Sequence, residues 1–415
     1  MIFNSTKEKF IFYSIPAILF SLIPFFLITG PFLSDLSISL IGLLFLIYCF
    51  KKKNFSFFHN KYFYFFLIFC FYLILNTSIN NFNLDSLKIS FFYFRYGIFV
   101  IAISTLLNVD DKFKKYFFYC IFVCFSVVIL DGFYEYFIGN NILGWKFYPN
   151  RLSSFFGNEL VLGSYISRLL PIFFGLYLLI FKKKNKLFFL VLLIFILSEV
   201  LTFLSGERVA FFYVNLSAFF IILLSKKLLK LKLFSISSSI LLIIIISFVN
   251  PKPKERIFYQ TYNQMIEVNK IYIFSELHNS FYVTAYKMFL DNKTLGVGVK
   301  NFRKFCSNEK YYTNQFSCNT HPHNTYIQIL VETGIVGLFF LLIVLFYFCK
   351  HIFKHLMLKF KGKNYFSDFE ICILSGIAIY LWPFVPTGNV FNNWVNITLI
   401  LYLPFLIWSR NLNKR

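Results

Sequence analysis

The sequence predicts an all-α polytopic membrane protein with about twelve transmembrane helices and one large extracytoplasmic loop containing short helices. Three observations carry this. The chain is 58% hydrophobic and 23% aromatic with a mean hydropathy of +0.67, more apolar surface than a soluble core of 415 residues can hide. Apolar runs of spanning length recur from end to end. The 41 Lys and Arg, set against 18 Asp and Glu for a formal net charge of +23, fall in short clusters between those runs, which is topology signal and not a nucleic-acid face.

The runs lie near 10–29, 33–50, 62–78, 88–107, 116–138, 160–181, 187–204, 209–225, 233–249, 324–349, 367–386 and 390–408. No small-residue cleavage site follows the first, so Phe10 to Gly30 reads as a retained span. Basic clusters at Lys51 to Lys53, Lys112 with Lys114 and Lys115, Lys182 to Lys186, Lys226 to Lys232, Lys350 to Lys363 and Arg410 to Arg415 occupy every second connection. All of them, and both termini, can therefore be cytoplasmic together. The outer side receives 79–87, 139–159, 205–208, the region near 387–389, and the long segment 250–323. The chain thus divides into helices one to nine (1–249), an outer loop (250–323) and the last three helices (324–415).

A loop of that length is usually functional. It carries a helical piece from Glu276 to Leu290, a turn at Asp291 to Thr294, and the run Gly296-Val-Gly298-Val-Lys-Asn-Phe-Arg303. Cys306 and Cys318 are the two cysteines placed outside; an oxidising compartment permits them to pair, and two unmodified thiols are the alternative. The loop ends at His321, Pro322, His323 and Asn324, where the chain re-enters an apolar span. A helix drawn from Asn324 brings Ile327, Leu330, Gly334 and Gly337 within roughly 40° of His323 and sends Glu332 to the opposite side. A histidine at a helix N-terminus, beside unpaired N–H groups, suits a neutral imidazole facing an anionic ligand.

Ionisable residues inside spans are costly, and Arg95, Asp131, Glu135, Arg168, Glu199 and Glu332 stand out, each nearer the outer end of its span. They read either as structural pairs within the bundle or as the lining of a polar chamber under the loop. Arg208 in the turn Ser205-Gly-Glu-Arg208, and Arg151 in the turn Tyr148-Pro-Asn-Arg151, offer planar donor forks for phosphate oxygens, although an arginine at a span end also serves as an interfacial anchor. Lys300, Arg303 and Lys304 add positive field or form a solvated face. A His-x-His metal pair lacks a third ligand at a recognisable spacing. A twelve-helix transporter would carry internal repeats and interrupted midplane helices, which the sequence does not display.

These residues resemble the O-antigen ligase and O-antigen polymerase superfamily, membrane glycosyltransferases that use polyprenyl-pyrophosphate-linked glycans on the outer side of the bacterial inner membrane. The ligase pattern His-Asn, nine residues, then Gly-x-x-Gly is met by His323, Asn324, Gly334 and Gly337. Ser205-Gly-Glu-Arg208 looks like the family's small-Gly-x-Arg turn, Gly296 to Phe302 like its Gly-x-Gly-x-x-Asn-Phe segment, and Arg151 to Asn158 like its Arg-x-x-Gly-Phe-Phe-Gly-Asn run. His278 stands where family members commonly carry an arginine, and Phe212 where the ligase-like pattern has leucine.

The resemblance implies a multi-pass inner-membrane protein with a periplasmic active site. It implies His323 as base, with Arg208 stabilising the pyrophosphate; Arg151, Asn324, His278, Arg303 and Arg168 complete the candidate substrate-binding residues, and neither a cofactor nor a metal is expected. The partners it implies are a polyprenyl-pyrophosphate-linked glycan donor, a glycolipid (lipid A core) or lipid-linked glycan acceptor, and the lipid bilayer, with no nucleic acid. A polymerase extending lipid-linked repeats is the alternative within the family.

Overall fold

The computed structural model describes residues 5–80, 83–146, 151–181, 186–225, 229–267 and 270–412. Of the turns and basic clusters named above, Tyr148 to Asn150, Lys182 to Asn185, Lys226 to Leu228 and Asn413 to Arg415 lie outside the described residues. The helices are α1 (Thr6–Thr29), α2 (Pro31–Lys52), α3 (Lys61–Ile79), α4 (Leu84–Leu106), α5 (Lys112–Ile138), α6 (Leu162–Ile180), α7 (Leu187–Leu204), α8 (Arg208–Leu224), α9 (Leu233–Val249), α10 (Lys252–Met265), α11 (Glu276–Asp291), α12 (Phe302–Phe305), α13 (Thr325–Phe360), α14 (Asp368–Leu381) and α15 (Asn393–Leu412). A two-residue antiparallel ladder pairs Ile266–Glu267 with Lys270–Ile271.

Against about twelve expected spans, nine described helices are long and apolar enough to cross a membrane: α1 to α7, α13 and α15. The count rises to ten if α9 and α10, bent by 109°, make one span. Helix α8 is apolar but has 17 residues, and α14 has 14. The run expected to continue to residue 386 stops at Leu381 because Trp382 precedes Pro383, and a residue before proline is pushed to extended backbone; Trp382 has φ −73° and ψ 120°. Residues 382–392 become a strap that returns to α13. Along it, Asn324 donates to the carbonyl of Pro383 (2.8 Å), Tyr326 to Leu381 O (2.6 Å), and Gln328 to Asn389 Oδ1 (3.0 Å).

Helix α6 is the most enclosed span, 72% buried, and packs against α5, α7, α8 and α14. Between apolar helices in lipid, close van der Waals contact takes the place of the hydrophobic drive. At Gly163, the first turn of α6, an added Cβ would lie 2.7 Å from Ser205 Oγ, so only glycine lets the 205–208 turn seat there.

Most of the intramembrane charges are spent on architecture. Glu135 accepts from the backbone N–H of Ser153 and Ser154, and Asp131 from Ile142 N–H (2.8 Å) and Ser154 Oγ (2.5 Å), so the two acids tie Ile142, Ser153 and Ser154 to α5. Arg95 pairs with Asp35 at 2.6 Å. Glu332 accepts from Gln328 (3.0 Å) and faces the Phe302 N–H (3.4 Å). For these residues the structural reading replaces the polar chamber. Glu199 is buried with Oε2 unpaired among the described residues.

The helix drawn from Asn324 needs two corrections. Asn324 is the N-cap of α13, accepting from Tyr326 N–H (3.0 Å) and Ile327 N–H (3.1 Å), so His323 lies outside the helix and has no place on its wheel. At Gly334 (φ 65°, ψ −169°) the helix breaks. Ile335 N–H donates to Lys293 O (2.9 Å), while the carbonyls of Val331 and Glu332 accept from Val297 and Gly298 N–H (both 2.9 Å). Tyr72 donates to Thr333 O and Asn76 to Leu295 O. A Cβ at Gly334 would fall 2.1 Å from the Thr294 carbonyl oxygen, on backbone that L residues disfavour. Gly334→Ala is expected to destabilise the protein by more than about 2 kcal/mol, measured as a lower melting temperature in detergent together with new protease cleavage near 293–298. An unchanged melting temperature with an uncut loop contradicts this account of the break.

Candidate active site

Three histidines and three arginines gather where the ends of α6, α8, α10, α11 and α13 meet. His323 is held in left-handed backbone (φ 54°), a conformation uncommon for a non-glycine residue and often found at functional positions. Its carbonyl accepts from Thr387 N–H (2.8 Å), which anchors it to the strap. The turn takes its ring out of the helix and lays it on Phe281 of α11, with centroids 5.4 Å apart and planes 24° from parallel. His323 Nε2 is buried and has no hydrogen-bond partner among the described residues. Burial lowers its pKa, so the ring is held neutral and able to take a proton.

The other two histidines are differently engaged. His321 Nε2 faces the Thr387 carbonyl at 3.0 Å, and a carbonyl only accepts, so that nitrogen carries the proton and Nδ1 accepts from Thr320 Oγ1 (2.9 Å). Both its nitrogens are occupied, and its ring lies 4.1 Å from that of His323, which it buttresses. His278 in the first turn of α11 pairs through Nδ1 with Ser275 Oγ (2.7 Å), the cap of its own helix. Its ring centre is 5.9 Å from His323. Tyr282, one turn on, is buried with its hydroxyl unpartnered among the described residues, and burial raises its pKa, so it stays a neutral donor.

Arg208 opens α8. The acid before it, Glu207, turns inward and accepts from Gly163 N–H (2.6 Å), Ser164 N–H (3.1 Å) and Ser164 Oγ (2.7 Å), capping α6 and fixing where Arg208 emerges. Arg208 Nε donates to Arg256 O (3.1 Å) and Nη1 to Gln264 Oε1 (2.5 Å). Its positive charge is near enough to His278 to help lower that residue's pKa, after burial and His323. Arg151 donates to Leu160 O (3.0 Å), its Nε is buried and unpartnered among the described residues, and burial is the main cause of its lowered pKa, with Glu207 opposing.

The sequence-derived residues Arg208, Arg151, His278 and His323 therefore share one site. Asn324 serves as helix cap and strap anchor. Arg303 is exposed and acts electrostatically on His321. Arg168 lies deeper in α6, its guanidinium 4.7 Å from the Tyr380 ring and 5.3 Å from Tyr213, with Nε unpartnered among the described residues. Cys306 and Cys318 are joined in a disulfide, with Cα atoms 5.1 Å apart, closing the loop that leads to His321. Among the described residues no group of three or more His, Cys, Asp or Glu side chains is arranged to hold a metal ion. Sequence reading passed over Arg256 and Tyr282. Tyr282 had a signal in its i, i+4 spacing from His278 on one helix face; Arg256 had none beyond a basic residue among lysines.

Fold and site together define a polytopic α-helical membrane protein with an enclosed histidine beside a cluster of guanidinium groups. Residues 190–342 match the family model described as O-antigen ligase, and the match supports the O-antigen ligase and polymerase superfamily for this chain. It spans Arg208, Arg256, His278, Arg303 and the His323-Asn324 to Gly337 element, and leaves Arg151 and Arg168 outside. Among curated proteins none matches the chain.

His278 and His321 are each lowered to about 4 from the ordinary 6.5, first by burial and then by the neighbouring His323. The unfolded chain therefore binds protons before the folded one as pH falls. Their contribution to stability is complete above about 6.5 and is lost between there and about 4. The melting temperature in detergent is expected to be level above about pH 7 and to fall from about 6.5 downward, with a shallower fall in His321→Gln. A melting temperature that rises on acidification through this window contradicts the assignment.

Proposed function

We propose that the chain is an O-antigen ligase-like glycosyltransferase, moving a glycan from polyprenyl pyrophosphate to an acceptor sugar hydroxyl, that of the lipid A core, on the outer side of the bacterial inner membrane. The observation that carries this reading is the unpartnered, enclosed Nε2 of His323 beside His278 and the Arg208 cluster, within the residues that match the family. The reading takes the chain as twelve spans with both termini cytoplasmic and residues 250–323 in the periplasm, which follows from the alternation of basic clusters.

In the reaction, the acceptor oxygen forms a bond to the anomeric carbon while the bond from that carbon to the pyrophosphate oxygen breaks. The hydroxyl proton passes to His323, and the bond's electron pair leaves with the pyrophosphate. A lowered pKa keeps His323 unprotonated before each turnover. Arg208 and Arg151 stabilise the negative charge that grows on the leaving group, and preorganised electrostatic stabilisation of this kind usually contributes more to the rate than any other single effect. Cationic side chains take the part that a divalent metal plays in many nucleotide-sugar transferases. His278 and Tyr282 add neutral donors, and Arg168 supplies positive potential from within the bundle.

His323→Ala and Arg208→Ala are each expected to lower transfer by at least about a hundredfold, with donor binding nearly kept for His323→Ala. Arg208→Lys is expected to fail as well, since a point charge does not reproduce the planar fork on a pyrophosphate. The measurement is product formation by purified variants supplied with polyprenyl-linked glycan and acceptor. Near-normal product from His323→Ala rules the mechanism out. In a deletion strain, long glycans accumulating on the polyprenyl carrier mark a ligase, whereas single repeats reaching the surface lipid mark a polymerase.

A further inference from the structure

Arg256 lies on α10, the helix that turns away from the end of α9 at 109°. It and Arg208 hold each other from behind: Arg208 Nε donates to the Arg256 carbonyl (3.1 Å), and Arg256 Nε donates to the carbonyl of Gly206 (3.0 Å), two residues before Arg208. This clamp uses one N–H from each guanidinium. The two Nη groups of Arg256 and Nη2 of Arg208 have no hydrogen-bond partner among the described residues.

Arg151, Arg208 and Arg256 lie within electrostatic range of one another, and none of the three forms an ion pair among the described residues. Glu207 is the acid beside them, and its oxygens are already committed to the first turn of α6. Three positive charges are thus set together with their free donors unspent, which is costly unless an anion arrives. The outward face of α10 indicates where that anion comes from. Phe258, Tyr259 and Tyr262 are 52%, 55% and 63% exposed, and aromatic residues on an in-plane helix mark the membrane interface, the level of lipid phosphates.

We propose that Arg256 is a pyrophosphate-binding residue that pairs with the charge gained by the lipid-linked pyrophosphate as the glycan leaves. The proposal rests on the functional reading above. The donor's pyrophosphate is a diester, and cleavage of the sugar bond frees a terminal phosphate that carries roughly one further negative charge. Arg208 and Arg151 meet the pyrophosphate as donor and as leaving group, and the third guanidinium adds the positive charge that matches the increment. Arg256 therefore favours the leaving group over the bound donor, and its removal slows the reaction more than it weakens donor binding.

The test uses purified full-length protein in lipid nanodiscs, with polyprenyl pyrophosphate and polyprenyl monophosphate as probes in parallel titrations, alongside kcat and KM for transfer. In Arg256→Gln, binding of the pyrophosphate lipid is expected to weaken roughly tenfold to a hundredfold and kcat to fall by a similar factor, with KM and monophosphate binding changed less than about threefold. Native pyrophosphate binding and native kcat in Arg256→Gln overturn the proposal and leave the glycosyltransferase reading standing, provided Arg208→Gln loses both. If native protein does not prefer the pyrophosphate lipid over the monophosphate, the functional reading and the proposal fall together. Should Arg256→Gln melt early, Arg256→Lys takes its place, since an ammonium can still reach the Gly206 carbonyl. A loss of at least about threefold confined to the pyrophosphate lipid supports the proposal, and equal binding of both lipids by Arg256→Lys, at native strength, overturns it.

Discussion

In an uninterrupted helix the Val331 carbonyl would accept from Ile335 N–H. In this chain Ile335 N–H turns to Lys293 O and the Val331 carbonyl to Val297 N–H, so the exchange welds the 293–298 segment into the gap opened at Gly334. Both groups displaced by the break find a new partner, which is the condition for interrupting a helix in an apolar setting. The weld fixes the start of α13 relative to α11. From that relation follow the stacking of His323 on Phe281 and the proximity of His278. The disulfide between Cys306 and Cys318 closes the loop that follows, on the way to His321.

Charge is divided by role. Asp131, Glu135, Glu207 and Glu332 receive backbone N–H groups and thereby hold loops and helix ends, so the carboxylates act as structural acceptors. The guanidiniums of Arg151, Arg208 and Arg256 are supported by carbonyls and keep donors in reserve. Peptide N–H groups satisfy the buried acids, Glu207 among them, so none of the three cations is held in an ion pair among the described residues, and the excess of positive charge suits an anion. His321 belongs with the scaffold, its two nitrogens both engaged, whereas His323 keeps one enclosed nitrogen open.

The sequence made local features legible and hid those that depend on remote segments. The apolar runs and the Pro-bounded entry at His321-Pro-His323 mark helices and the loop end because hydropathy and turn chemistry are local. Arg208 was visible because a small residue, a glycine and an arginine sit together before an apolar run. The wheel that aligned His323 with Gly334 failed because it assumed one continuous helix, and only the docking of Gly296 and Gly298 reveals why Gly334 must leave it. Asp131 and Glu135 read as chamber candidates because their partners, Ser153 and Ser154, lie on the far side of a loop. Arg256 lacked a motif altogether, since its meaning comes from a bend that carries it to Gly206.

In the proposed function an enclosed histidine and a guanidinium cluster cleave the bond between the sugar and a lipid pyrophosphate, and neither a nucleotide nor a metal takes part. The most direct measurement is the fate of the carrier during a single turnover in excess chelator, with the phosphates of the donor isotopically labelled. The account predicts intact polyprenyl pyrophosphate released in equal amount with the glycan transferred, and no label in orthophosphate. Release of polyprenyl monophosphate in step with transfer, or transfer that stops until a divalent cation or a nucleotide sugar is added, would contradict it.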